Sequence, residues 1–191
     1  MSVTKRIPFY TLLQLPDAMA LLACTPDGIC ALSLDDSAEP LERGLLQRWP
    51  TARKVAGEPG SASSGRHTEA GERLLVSLLP RVQAVLNGAA DPQAGQPWPL
   101  DLQGTPFQLA VWRALREIPA GSRCSYAELA TRLGRPSAAR AVAGACAANA
   151  VAVLVPCHRV VRADGSLSGY RWGVTRKQAL LTAEAADASG V

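Results

Sequence analysis

Histidine is nearly absent. The 191-residue chain holds two, His67 and His158, which excludes a metal site built from several imidazoles. His67 lies in "GSASSGRHTEAG", a polar stretch with loop chemistry, so His158 is the one imidazole expected in ordered structure. Cysteine is sparse too. The five thiols, Cys24, Cys30, Cys124, Cys146 and Cys157, include no C-x-x-C pair, so a zinc ribbon or thioredoxin-like redox motif finds no support. Their odd number, with no leader-like apolar core in "MSVTKRIPFY", points to a reducing, cytoplasmic setting. No apolar run reaches the ~18 residues a membrane span needs, so no membrane partner is expected.

What is present suits one sizeable domain or two small ones. Hydrophobic residues make up 48% of the chain, enough for a core. Charge is uneven: residues from Asp101 onward carry 11 Lys/Arg against 6 Asp/Glu, and those before it 9 against 10. A basic second half is compatible with a polyanion such as nucleic acid, and equally with ordinary solubility charge.

Strands are expected at 7–15 and 18–24, then a turn at Pro26-Asp27-Gly28 and a third strand. Leu and Val spacing predicts helices at 39–49 and 72–87, with a mobile loop at 56–71 between them. The breakers in "NGAADPQAGQPWP" read as a linker. These patterns divide the chain into a small α/β domain at 1–90, a linker at 91–103 and a second domain at 104–187.

The second domain is denser in helix. Thr105 and Pro106 open one helix, with Phe107, Val111, Ala114, Leu115 and Ile118 on one face and Pro119 ending it. "SYAELATRLG" pairs Ser125 with Glu128 as a capping box and closes at Gly134. Ser137 is the expected cap of the next helix, "AARAVAGACA". Two short helices around a Gly-containing turn are the helix-turn-helix pattern. The second helix offers one long polar side chain, Arg140, among Ala, Gly, Val and Cys. It reads either as a helix packed closely in the core or as an element laid in a minor groove, where little side-chain reading is needed. A strand is expected at 151–155, and a last helix carries Leu180 and Leu181 inward with Glu184 near its end.

"VLVPCHRVV" carries the chemistry. A nucleophilic thiolate needs a lowered pKa, which an adjacent base or cationic group supplies, and His158 stands next to Cys157. Neighbours on a strand point to opposite faces, so the two meet directly only where the strand has ended. An acid should orient the imidazole; Glu184, Glu128 and Asp164 are all available. The plain alternative is an inert buried cysteine beside a turn histidine. A cysteine protease would require a second well-placed histidine, which His67 does not supply.

"PCHRV" at 156–160 resembles the active-site motif of the methylated-DNA–protein-cysteine methyltransferases (O6-alkylguanine-DNA alkyltransferases). Four further stretches match in order: "GTPFQLAVWRAL", "IPAGSRCSYAELA", "GRPSAARAVAGACAAN" and "GSLSGYRWG". The end of the chain is most similar to the C-terminal half of the bacterial adaptive-response protein. The resemblance implies a ribonuclease H-like α/β N-terminal domain, with an antiparallel sheet plus helices, followed by a mostly helical domain of winged helix-turn-helix type. It implies single-turnover transfer of an alkyl group from O6-methylguanine, and to a lesser extent O4-methylthymine, in duplex DNA. Cys157 would be the acceptor, His158 would act on it through a water, and Glu184 would orient His158. Asn149 would brace the active-site turn. Tyr126 would contact a rotated phosphate and protonate guanine N3. Arg140 would fill the space left by the flipped nucleotide, with Arg135, Ser137, Ala139, Ala141, Ala143 and Gly144 along the DNA. Tyr170, Arg171, Trp172 and the carbonyls of Cys157 and Val160 would surround the base. No cofactor and no metal are implied. The partner is double-stranded DNA carrying O6-alkylguanine, bound by a monomer with possible cooperativity. The chain departs from many members at Ala143, Ala150 and Trp172-Gly173, and no four-cysteine phosphotriester-repair domain is expected.

Overall fold

The computed structural model describes residues 6–55, 69–89 and 91–189. Most of the expected mobile loop, including His67, lies outside the described residues. The chain divides into two compact units, Met1–Leu102 and Gln103–Val191.

The first unit is built on a four-stranded sheet. Strands β1 (Phe9–Leu15), β2 (Ala18–Thr25) and β3 (Gly28–Asp35) form an antiparallel meander, and the short β4 (Arg53–Lys54) pairs parallel to β1, giving the order β3-β2-β1-β4. Both hairpins turn on Pro-Asp pairs. Side chains alternate across the sheet. Tyr10, Leu21, Ala23 and Ala31 meet Leu41 and Leu45 of helix α1 (Ala38–Arg48). Phe9, Leu13, Leu22 and Leu32 are buried as well, and the backbone of helix α2 (Ala70–Leu86) comes against Phe9 at Gly71.

Residues 91–101, expected as part of a linker, are fastened to this unit. Arg81 is buried in α2, binds Asp91 through two bonds of 2.8 and 2.7 Å, reaches the Gln96 carbonyl at 2.7 Å, and lies 3.7 Å over the Trp98 ring. A buried guanidinium needs its donors satisfied, and this segment satisfies them. Leu100 then runs parallel to Ile29, whose N–H donates to the Pro99 carbonyl at 2.8 Å. That approach requires glycine at position 28, where φ is +153° and a Cβ would lie 2.7 Å from the Pro99 oxygen.

The second unit contains α3 (Pro106–Arg116), β5 (Cys124–Ser125), α4 (Tyr126–Arg132), α5 (Ala139–Ala147), β6 (Val160–Val161) and α6 (Val174–Ser189). Thr105 and Ser125 each close a capping box, with Gln108 and Glu128 as return partners. Gly134 takes φ +70° after α4, the left-handed stop that glycine adopts at no cost. Ser137 does not cap α5. It sits inside a 3₁₀ turn, Pro136–Ala138, that leads into the helix, and Ala138 is the cap position. Pro136 at the head of that turn presets its backbone, so the helical winding begins before α5 and no serine cap is used.

The core of this unit joins Val111, Trp112 and Leu115 of α3 to Leu129, Val142, Ala145 and Leu181. Trp112 anchors α3 to α5, its indole N–H donating to the Ala145 carbonyl at 2.8 Å. Among the described residues no helix is long and apolar enough to cross a membrane.

Candidate active site

Residues 151–155 are not a strand. They form a chain of tight turns in which Val153 takes φ +63°, a conformation that a β-branched residue rarely adopts. Asn149 is the cause. It is fully buried; its carboxamide N–H group lies 3.2 Å from the Val151 carbonyl and 2.9 Å from that of Val155, and its oxygen accepts from Val151 N–H at 2.9 Å. The side chain takes up backbone groups that a sheet ladder would otherwise pair. The segment is thereby folded back on itself, and Cys157 opens a 3₁₀ turn, Cys157–Arg159, that precedes β6. The cysteine therefore stands ahead of a strand and not at the end of one.

β6 pairs parallel to β5, with Cys124 opposite Val160 and Ser125 opposite Val161. Two residue pairs thus tie the start of α4 to the segment after Cys157. Through them Tyr126, the first residue of α4, is brought to the same cavity as the thiol. That cavity has a volume of about 650 Å³ and is lined by Cys157, Cys146, Tyr126, Ser168, Gly169, Tyr170, Arg171 and Arg162, with Ala139, Arg140, Ala143 and Ala147 from α5. Val142, Ala145 and Cys146 are the buried side of α5, while Arg140, Ala141, Gly144 and Ala147 are exposed. A Cβ added at Gly144 would meet nothing within 4 Å, so packing inside the unit does not account for that glycine.

Asn149 also donates to the sulfur of Cys157 at 3.3 Å. Burial pushes the Cys157 thiol up, while the Asn149 hydrogen bond and the Lys177 and Arg171 charges pull it down. Burial prevails, so the resting group is a thiol. The buried cysteine does not have the expected lowered pKa, and a base must remove the proton. Behind the cysteine, His158 is fully buried, and its Nε2 donates to Glu184 Oε1 at 2.8 Å. A ring that gives Nε2–H to a carboxylate keeps the Nδ1 lone pair free in its neutral form. Among the described residues, Nδ1 is buried without a hydrogen-bond partner.

Of the three candidate acids, Glu184 is the one brought to His158. Glu128 is occupied in the Ser125 capping box, and Asp164 binds Ser166 in its own turn. Glu184 also receives Arg159, whose Nη2 lies 2.8 Å from Oε1, and Gly121 N–H at 3.3 Å. Burial alone would raise this carboxyl, but the hydrogen bonds and charges of His158 and Arg159 outweigh it and hold the pKa at about 2.

The remaining expected residues fall in different places. Tyr170 forms a wall of the cavity, edge-on to His158 at 6.4 Å, with its hydroxyl buried and without a hydrogen-bond partner among the described residues. Arg171 lines the cavity and donates to the Asn149 carbonyl at 3.3 Å. Trp172 is not part of the lining. It is buried behind Tyr170, 5.1 Å away and edge-on, where its indole adds packing to that wall. Val160 is buried, and its carbonyl accepts from Lys177. Arg135 is exposed, 5.4 Å over the Phe107 ring. Two participants escaped the sequence reading, Arg159 and Lys177. Lys177 shares a helical face with Leu181 and Glu184 at the spacing of four and seven, which was the available signal. Among the described residues no cluster of three metal-ligating side chains occurs.

A buried thiol on a cavity wall, an acid–imidazole pair behind it and a small-residue helix at the mouth define a nucleophilic group-transfer site. Residues 106–186 match the family described as 6-O-methylguanine DNA methyltransferase, DNA binding domain. The chain is 44% identical over 176 residues to the bifunctional transcriptional activator/DNA repair enzyme Ada of Escherichia coli, covering 92% of this chain and 45% of that protein. The crystal structure of Mycobacterium tuberculosis O6-methylguanine methyltransferase superposes with a TM-score of 0.70 at 32% identity, covering 94% of each chain. The same organism's OGT in complex with DNA gives 0.70 and 32% over 93% of each. The chain spans about half the length of the curated relatives it matches. It belongs to the methylated-DNA–protein-cysteine methyltransferases, a family of enzymes.

Proposed function

We propose that the protein repairs O6-methylguanine, and less readily O4-methylthymine, in duplex DNA by one irreversible transfer of the alkyl group to Cys157. The observation that carries this reading is the placement of the Cys157 thiol in a cavity whose mouth is the exposed Arg140–Ala147 face of α5. An alkyl group on O6 is out of reach inside a stacked duplex, so the nucleotide must be turned out into that cavity. Arg140 fills the gap in the stack while keeping its charge. The small side chains at Ala139, Ala141, Ala143 and Gly144 let the helix backbone approach a minor groove with little sequence preference, and Arg135 and Ser137 add phosphate contacts.

His158 takes the Cys157 proton at Nδ1 through one water, and ionised Glu184 holds the resulting imidazolium. The thiolate lone pair attacks the alkyl carbon in line with the C–O6 bond. Tyr126 protonates the departing base at N3, and Tyr170 and Arg171 bound the base on its other side. The carbonyls of Cys157 and Val160 accept from its exocyclic amine. A thioether has no route back, so each molecule acts once and needs no cofactor. We assign the DNA-binding and alkyl-acceptor domain to residues 104–187, of winged helix-turn-helix type, and the α/β domain at 1–90 to the ribonuclease H-like class. The protein works as a cytoplasmic monomer that binds DNA with some cooperativity.

The test is incubation with a methylated duplex followed by intact-mass measurement. One methyl transfer adds ~14 Da to a peptide containing Cys157. Cys157→Ser abolishes the gain and retains duplex binding, because an alcohol is a far weaker nucleophile than a thiolate at neutral pH. Methylation of the serine variant at a comparable rate refutes the acceptor assignment.

A further inference from the structure

A second thiol opens into the cavity and takes no part in the mechanism above. Cys146, on the buried side of α5, is 6% exposed and lines the cavity together with Cys157. Asn149 spans the two. Its main-chain N–H donates to the Cys146 carbonyl at 3.2 Å, and its carboxamide donates to the Cys157 sulfur at 3.3 Å. The length of one asparagine thus separates the Cys146 main chain from the reacting sulfur. The Lys177 ammonium lies near both thiols, since negative charge on either sulfur acts on it. A cavity of about 650 Å³ leaves room between them for a short chain of carbons once the guanine has left.

We propose that Cys146 is a second alkyl acceptor, used when the group transferred to Cys157 carries a leaving group at its far end. The substrate class is guanine with a haloalkyl chain on O6, and O6-(2-chloroethyl)guanine is its simplest member. The inference rests on the alkyl-transfer reading above and extends it to bifunctional lesions. In the first step the Cys157 sulfur takes the carbon from O6, as for methyl. In the second, the Cys146 sulfur lone pair forms a bond to the terminal carbon. The carbon–chlorine bond breaks, its electron pair leaves with chloride, and the Cys146 proton passes to solvent. The product is one carbon chain joined to both sulfurs by thioether bonds. An electrophile that would otherwise stay on the protein and attack DNA is consumed within it.

The surroundings of the two sulfurs set the order. At Cys157 the Asn149 hydrogen bond and the Lys177 and Arg171 charges all favour the thiolate. At Cys146 burial pushes the thiol up to about 12, charge on Cys157 or Cys124 pushes the same way, and Lys177 opposes them. A thiolate at Cys157 therefore disfavours a second one beside it. Once that sulfur is a thioether, its charge is gone and the Lys177 charge remains. Cys146 thus ionises more readily after the first transfer than before it. The tethered carbon then meets a nucleophile held beside it, at an effective concentration that attack by water does not match.

1,2-Dibromoethane tests the second step without DNA. The reacted protein is weighed intact, its free thiols are counted after denaturation, and the modified residues are located by peptide fragmentation. A bridge between two thiols adds ~26 Da, whereas attack by water on the tethered carbon gives a hydroxyethyl group and adds ~44 Da. The bridged form is expected to exceed the hydroxyethyl form about tenfold or more, with Cys146 and Cys157 joined and the other three of the five thiols free. Cys146→Ala loses the bridged product and shows the hydroxyethyl product in its place. A duplex carrying O6-(2-chloroethyl)guanine gives the same bridge. A dominant hydroxyethyl product from the parent protein, a bridge that ends on a residue other than Cys146, or a chain that joins Cys157 to the duplex each overturns the second acceptor. Bridge formation with dibromoethane but no methyl taken from a methylated duplex refutes the alkyl-transfer reading itself, and the guanine substrate with it.

Discussion

Replacing Glu184 by glutamine keeps the shape of the side chain and removes its charge. Arg159, 16% exposed, then loses the anion it binds at 2.8 Å, and His158 keeps only an amide oxygen. The carboxyl sits at about 2 against an ordinary 4.5. That difference corresponds to about 3 kcal/mol of preference for the ionised form. Glu184 is itself 16% exposed, and solvent screening trims the figure to about 2 kcal/mol. Glu184→Gln should therefore lower the thermal midpoint at pH 7 by about 4–8 °C for a chain of this size. The pH dependence is the sharper test. The folded-state pKa is depressed, so the stabilisation is complete above the unfolded value of about 4.5 and is lost as pH falls towards 2. Urea titrations of both proteins at pH 7, 5, 4 and 3 should show a constant gap down to pH 5 that closes below it. A gap still intact at pH 3, or none at pH 7, refutes the argument. At neutral pH the variant should also transfer methyl on the order of 10²-fold more slowly, since the imidazolium loses its counter-charge.

Arg140→Ala should slow repair of a methylated duplex much more than reaction with free O6-benzylguanine, because the free base has no stack to leave; equal losses in single-turnover assays of both would mean that the arginine supports the cavity and not extrusion. Trp112→Phe should cost about 1–3 kcal/mol in urea unfolding, because the buried Ala145 carbonyl loses its 2.8 Å donor; a neutral result would show that the tie between α3 and α5 is made by ring packing alone.

Legibility tracked the range of the interactions. The cap at Thr105, the capping box at Ser125, the stop at Gly134 and the hairpins of the first sheet were readable because each is settled within about four residues by side chains competing for nearby backbone groups. Ser137 shows the limit of that reading, since a proline-led 3₁₀ turn replaced the cap it was expected to make. The apolar run at 151–155 misled for a different reason. Its valines suggested a strand, but the Asn149 carboxamide claims the Val151 and Val155 backbone and bends it.

By itself the sequence determined the order of the helices in the second unit, the adjacency of nucleophile and imidazole at Cys157-His158, and the family through "PCHRV" and its companions. Three acids lay within the same domain, and chain position did not distinguish them. Tertiary structure decided for Glu184 because Glu128 and Asp164 are spent on their own turns, while packing of Leu181 turns the shared face of α6 towards His158 and Arg159. It likewise placed Trp172 behind Tyr170 and buried Lys177 against Val160. These contacts join residues distant along the chain, and their strength depends on exclusion of water by the assembled core, a quantity that exists only once the chain has folded.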